Sequence, residues 1–155
     1  SSELILSGIS MGSFAAAYYA VDLNPAAVIV GKPFTNLGDT VSGLKLKRPD
    51  EFETSADMLL NITHGLTEIQ IDEFNQKLWK KYHKASFKDT QFALGYMKND
   101  DYDGCAAQRL TNYLSQKGVH IYSVGYEGRH NDNSQAINKW FKQQYKRILE
   151  DQFGR

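Results

Sequence analysis

Three residue types that together cleave or transfer acyl groups recur along this chain at places where a fold could bring them together. A serine stands between two glycines in Gly8-Ile9-Ser10-Met11-Gly12, after the apolar run Leu4-Ile5-Leu6 and before the small-residue run Ala15-Ala16-Ala17. Gly-x-Ser-x-Gly at a strand-to-helix corner is the spacing of a nucleophile elbow, in which the serine hydroxyl is raised above the sheet edge. Glycine is expected at both flanks because a side chain at position 8 or 12 would collide with the neighbouring strand or helix as the chain reverses. Met11 opens the new helix, so its N–H would face the negative charge that develops on an attacked carbonyl and supply half of an oxyanion hole.

Further along, Lys98-Asn99-Asp100-Asp101-Tyr102-Asp103 offers carboxylates just past an apolar run, and Gly125-Tyr126-Glu127-Gly128-Arg129-His130 offers a histidine just past another. Serine attacks a carbonyl carbon, histidine takes its proton and returns it to the leaving group, and a carboxylate steadies the imidazole. The chain order Ser, Asp, His is that of the α/β hydrolases. His130 is the expected base, on a loop that Gly125 and Gly128 make flexible enough to aim the ring at Ser10; His120 lies inside a strand run and is expected to pack there. Asp100 is the expected acid with Asp101 as the alternative, since one residue of uncertainty in the strand end exchanges them. Asp103 is placed to cap the next helix.

These groups converge only if the elements beneath them form a parallel sheet. Leu4–Leu6, Ala26–Gly31, Thr90–Met97 and Val119–Val124 read as buried strands, and the alanine-rich helix between the first two makes a βαβ unit. All strand ends then face one rim, the edge where open α/β sheets bind ligands. That places Lys32 to Asn36 beside Ser10, with Lys32 and Asn36 as candidate substrate-binding residues. The fold class is therefore α/β, the carboxyl-terminal portion of an α/β-hydrolase fold: a mostly parallel sheet flanked by helices, in a single domain over 1–155. Residues 37–88 are polar and long for a crossover, and read as an inserted helical lid. Within it, 52–60 suggests a short helix. Ile71, Phe74, Leu78 and Tyr82 mark an amphipathic helix over about 70–84 whose stripe packs on the sheet. His64 and His83 read as surface or cap residues. Ala107, Leu110 and Leu114 share one face of a helix ending at Lys117-Gly118, and Ile137, Trp140, Phe141, Tyr145 and Ile148 one face of a final helix.

With 18 basic and 18 acidic residues the chain carries no formal net charge and no basic block, so nucleic acid is not an expected partner. A single cysteine, Cys105, excludes an internal disulfide framework and suits the cytoplasm. No apolar run approaches the length of a transmembrane segment, and no signal sequence opens the chain. Asn99-x-Asp101-x-Asp103-Gly104 begins like a calcium loop but has Leu110 where the bidentate glutamate belongs, so no metal is expected. The first strand starts within a few residues of Ser1, and the chain reads as an excerpt whose second oxyanion donor belongs to an earlier strand.

Three segments, Gly8-Ile9-Ser10-Met11-Gly12-Ser13, Tyr96-Met97-Lys98-Asn99-Asp100-Asp101-Tyr102-Asp103 and Gly125-Tyr126-Glu127-Gly128-Arg129-His130-Asn131-Asp132, together resemble the carboxyl-terminal part of the second accessory secretory protein family of Gram-positive bacteria. The resemblance covers essentially the whole chain. It implies a cytoplasmic component of the accessory Sec system, which glycosylates and exports serine-rich-repeat adhesins. It further implies an esterase-like protein that transfers acetyl groups to N-acetylglucosamine on the adhesin. Its implied partners are the other accessory Sec proteins and the glycosylated adhesin; an acetyl donor is needed, with no bound cofactor. By position it implies Ser10 as nucleophile, His130 as base and Asp100 as third member, a place where some relatives carry glutamate.

Overall fold

Four apolar runs line up as one parallel sheet in a computed structural model that describes residues 3–42, 67–100, 103–130, 132 and 134–154. Strands β1 (Ile5–Ile9), β2 (Ala27–Gly31), β3 (Gln91–Met97) and β4 (Ile121–Tyr126) follow one another across the sheet in chain order. Every adjacent pair is parallel, with Ile9 opposite Gly31, Gly31 opposite Gly95, and Met97 opposite Tyr126. All four carboxyl ends therefore reach the same rim. Between and after the strands run helices α1 (Met11–Leu23), α2 (Leu37–Ser42), α3 (Glu68–His83), α4 (Asp103–Gln116) and α5 (Ser134–Phe153).

Alternate side chains of the buried strands serve opposite faces. On one, Val28, Val30, Phe92 and Leu94 join Phe14, Ala17 and Ala20 of α1, Leu78 and Tyr82 of α3, and Leu110 and Leu114 of α4 in the main core. On the other, Ala27, Ile29 and Ala93 meet Trp140 and Ile148 of α5. The closeness of α5 depends on Gly95: a β-carbon there would lie 2.7 Å from the Trp140 ring. The small residues of α1 do the same service on the first face, as expected from the alanine run.

Several elements differ in extent from the sequence reading. β1 is half-exposed rather than buried, because β2 is its one strand neighbour among the described residues. β4 begins at Ile121, since the Val119 N–H still bonds the Leu114 carbonyl at 3.0 Å and closes the end of α4. His120 therefore precedes the strand and is exposed, with its ring 4.4 Å from that of Tyr122. α3 starts at Glu68 because Thr67 and Gln70 form a capping box: the Gln70 N–H bonds Thr67 Oγ1 at 3.2 Å and the Thr67 N–H bonds Gln70 Oε1 at 2.9 Å. His83 ends that helix, exposed. Of the segment 37–88, α2 and α3 are described; the expected helix over 52–60 and His64 lie outside the described residues.

Tyr82 anchors α3 to α1. Its ring is fully buried and its hydroxyl donates to the Ala17 carbonyl at 2.5 Å. Burial raises the pKa of this phenol well above the ordinary tyrosine value. A folded-state pKa above the unfolded one means that the contribution of Tyr82 is intact below about pH 10 and is lost as pH rises beyond it. Tyr82→Phe is expected to cost about 1 kcal/mol at neutral pH for the lost hydrogen bond. It should also reduce the loss of stability above about pH 10 seen in urea titrations. Identical pH dependence in the two proteins would contradict the buried-hydroxyl account.

Candidate active site

Ser10 occupies the corner between β1 and α1 with φ 60 and ψ −123, a conformation that a residue bearing a β-carbon adopts only under constraint. The constraint is visible in its surroundings. The Ser10 N–H bonds the Gly31 carbonyl at 2.9 Å, its carbonyl accepts the Ser13 N–H at 3.0 Å and the Ser13 hydroxyl at 2.5 Å, and α1 begins at the next residue. Gly8 is required by close approach, since a β-carbon there would fall 2.1 Å from the Gly12 carbonyl oxygen. Gly12 differs from expectation: nothing lies within 4 Å of where its β-carbon would be, because that side of the first helical turn is open. Met11 is the first residue of α1, and the opening N–H groups of a helix have no intrahelical acceptor.

His130 follows β4 and is buried, with its Nε2 2.9 Å from Ser10 Oγ. Hydrogen bonds, more than glycine freedom, aim its loop. The Asn99 N–H bonds the Gly128 carbonyl at 3.0 Å, and the Gly128 N–H returns to Asn99 Oδ1 at 2.7 Å. The Arg129 N–H bonds Asp132 Oδ2 at 3.0 Å, and the Asp132 N–H bonds the Arg129 carbonyl at 2.9 Å. Gly128, at φ 119, supplies the one left-handed turn that this path needs. Gly125 lies within β4, where a β-carbon would come 2.7 Å from the Tyr96 ring.

Asp100, buried at the end of β3, accepts the main-chain N–H of His130 on Oδ2 at 3.0 Å. Asp101, the alternative acid, lies outside the described residues. Lys32 is buried, and its ammonium donates to the His130 carbonyl. Asn36 is engaged elsewhere, since its Oδ1 accepts the indole N–H of Trp79 at 2.9 Å and its carbonyl accepts the Thr40 N–H at 3.4 Å. The segment from Lys32 to Asn36 thus ties α3 to the rim of the sheet.

Two residues at the centre of this arrangement escape sequence reasoning. The Phe34 ring stacks on the His130 ring with centroids 5.3 Å apart and planes 17° from parallel. Ser13, buried, bridges the elbow and the Phe34 segment by accepting the Phe34 N–H at 3.2 Å while donating to the Ser10 carbonyl. Ser13 falls inside the elbow segment, but its type signals only a helix start. Phe34 falls between the two candidate binding residues, and no spacing rule marks an aromatic there as the floor beneath a histidine.

A parallel sheet flanked by helices, with a serine at a strained strand-to-helix corner and a histidine beside it at the same rim, defines an α/β fold of the hydrolase and acyltransferase kind. Capsule O-acetyltransferase of Neisseria meningitidis serogroup A has this fold: TM-score 0.66 over 93% of this chain and 54% of that one, at 19% identity. The chain belongs to the accessory Sec system GspB-transporter family, whose model matches residues 1–155. It is 46% identical over its whole length to an accessory Sec system protein of Staphylococcus aureus, of which it covers 30%. It is equally similar, at 46% identity and TM-score 0.85, to a chain of the Glycosylation Associate Protein complex from Streptococcus agalactiae, of which it also covers 30%. The chain thus spans about a third of the length of these relatives. No helix among the described residues is long and apolar enough to cross a membrane.

Proposed function

We propose that this chain carries the catalytic residues of a serine acyltransferase. In this reading it O-acetylates N-acetylglucosamine on a serine-rich-repeat glycoprotein during accessory Sec export, working in the cytoplasm with the other accessory Sec proteins. The observation that carries the proposal is the 2.9 Å contact between Ser10 Oγ and His130 Nε2 at a corner whose backbone is held out of its relaxed range.

In the first half-reaction Ser10 Oγ attacks the carbonyl carbon of an acetyl donor while His130 Nε2 takes the hydroxyl proton. The oxyanion that forms faces the Met11 N–H, at the positive end of α1. His130 then gives its proton to the leaving group, and the acetyl group remains on Ser10. In the second half a sugar hydroxyl loses its proton to His130 and attacks the acyl carbon; the bond from that carbon to Ser10 Oγ then breaks, His130 returns the proton to Oγ, and the acetylated sugar leaves. Asp100 has the role of third member and holds the histidine through its main-chain N–H. Transfer outpaces hydrolysis only where water is kept from the acyl-enzyme, and the lid over 37–88 has that role. Its α2 and α3 are joined to the rim through Asn36 and Trp79.

Full-length protein supplied with isotopically labelled acetyl donor and a sugar acceptor tests the proposal by its products. Acetylated sugar is the expected result. Labelled acetate alone would make the protein an esterase acting through the same serine, and turnover of neither kind would leave a scaffold that shares a hydrolase fold.

A further inference from the structure

We propose that Lys32 is a positioning residue: its ammonium, working with the Asp100 carboxylate, clamps the main chain of His130 so that the imidazole meets Ser10. The inference rests on the reading of Ser10 and His130 as nucleophile and base. His130 stands on a loop past the end of β4, so its ring is placed only as well as its backbone is fixed.

Both main-chain polar groups of that residue end on buried side chains of opposite charge. The N–H donates to Asp100 Oδ2 at 3.0 Å, and the carbonyl accepts from Lys32 Nζ. Each charge suits the group it holds, since a carboxylate is the stronger acceptor for an N–H and an ammonium the stronger donor to a carbonyl. Exchanging them would turn both contacts repulsive. The two charges stand at the ends of neighbouring strands, and the Lys32 N–H bonds the Gly95 carbonyl of β3 at 2.8 Å, so the clamp is referred to the sheet itself.

Lys32 is also an unfavourable residue for its position in two separate ways. Its φ is 49, in the left-handed region where glycine would be relaxed. Its side chain takes a positive charge out of water to a carbonyl, and a buried charge lowers stability unless it is matched by other groups. Of the non-glycine residues with positive φ among those described, Asn24 caps α1, which leaves Ser10 and Lys32, both at this rim. A glycine at 32 would remove strain and buried charge together, and would also remove the donor that holds His130. Fixing the histidine is what the lysine contributes.

The test uses full-length protein and compares wild type, Ser10→Ala, Lys32→Met, Lys32→Gly and Lys32→Arg by steady-state kinetics with p-nitrophenyl acetate as the acetyl donor. Circular dichroism monitors folding, and Lys32→Gly, which relaxes the backbone, keeps the test open should Lys32→Met fold poorly. Both variants lacking the amine are expected to lose about 100-fold in kcat with KM for the donor changed less than about threefold, the signature of a misplaced catalytic group. Lys32→Arg, which retains a charged donor, should recover at least about a tenth of wild-type kcat. If Ser10→Ala is inactive while folded Lys32→Met or Lys32→Gly keeps wild-type kcat, the clamp is overturned and the nucleophile stands. A rise in KM alone would overturn it in favour of direct substrate contact, and an active Ser10→Ala would bring down the nucleophile and the clamp together.

Discussion

Ser10→Ala in the full-length protein is expected to lower acetyl transfer by on the order of 10⁴-fold or more while the thermal melt stays within about 2 °C of wild type. The activity loss is large because Ser10 is the group that bonds covalently to the acyl carbon. The two hydroxyls nearest to it in sequence are engaged elsewhere: Ser7 Oγ pairs with the Tyr145 hydroxyl, and the Ser13 oxygen lies between the Ser10 carbonyl and the Phe34 N–H. The stability change is small because the Ser10 hydroxyl contacts the His130 ring, while the elbow is held by main-chain bonds and by Ser13. Measured acetylation of a sugar acceptor checks the first half and circular dichroism the second. Undiminished acetylation in this variant would refute the assignment of the nucleophile.

A large stability effect is expected at a residue that touches no substrate. Gly8→Ala puts a β-carbon 2.1 Å from the Gly12 oxygen, 2.2 Å from the Gly12 carbon and 2.8 Å from the Ser13 nitrogen. All three are main-chain atoms of the first turn of α1, so no rotamer change relieves the overlap and the elbow itself must open. The expected cost is about 3 kcal/mol or more, at the upper end for overpacking. In a domain of this size that corresponds to a fall of roughly 6–12 °C in Tm. Gly12→Ala is the control, since its β-carbon meets nothing within 4 Å; it should be neutral or slightly stabilising within about 1 kcal/mol, as alanine favours helix. Equal melting temperatures for the two variants would show that the elbow is not as tight as described. The pair therefore separates the two glycines of the motif, one required by packing and one tolerant of a methyl group.

The parallel sheet was legible because its central strands announce themselves. Val28-Ile29-Val30 and Phe92-Ala93-Leu94 are buried on both faces, so apolar residues fill them without alternation. Parallel strands then oblige their carboxyl ends to share a rim, and that is why Ser10, Asp100 and His130 could be expected near one another before any distance was known. Helix stripes were equally plain: Leu78 and Tyr82 of α3, and Ile137, Trp140 and Ile148 of α5, are buried where periodicity put them.

What lay hidden was set by contacts between distant segments. Lys32 is a candidate binding residue because it lies at a strand end beside Ser10, the edge where open α/β sheets bind ligands; the fold adds what spacing does not show, its ammonium on the His130 carbonyl. Asn36 is a candidate by the same placement, and the fold adds that its amide oxygen accepts from Trp79, 43 residues further on. The elbow motif treats its two glycines alike, whereas the surroundings of each decide whether it is needed. Strand ends shifted where a helix cap competed with the ladder, as at Val119. Phe34 beneath the His130 ring has no signature in spacing at all, since a stacked aromatic depends on where two loops meet and not on what precedes or follows it.

The most direct test of a serine activated by His130 is covalent capture of the hydroxyl in the full-length protein. A fluorophosphonate probe followed by peptide mapping is expected to place the label on Ser10, with labelling suppressed by at least about 100-fold in His130→Ala. Label on a different residue, or equal labelling of Ser10 with and without the histidine, would contradict the account.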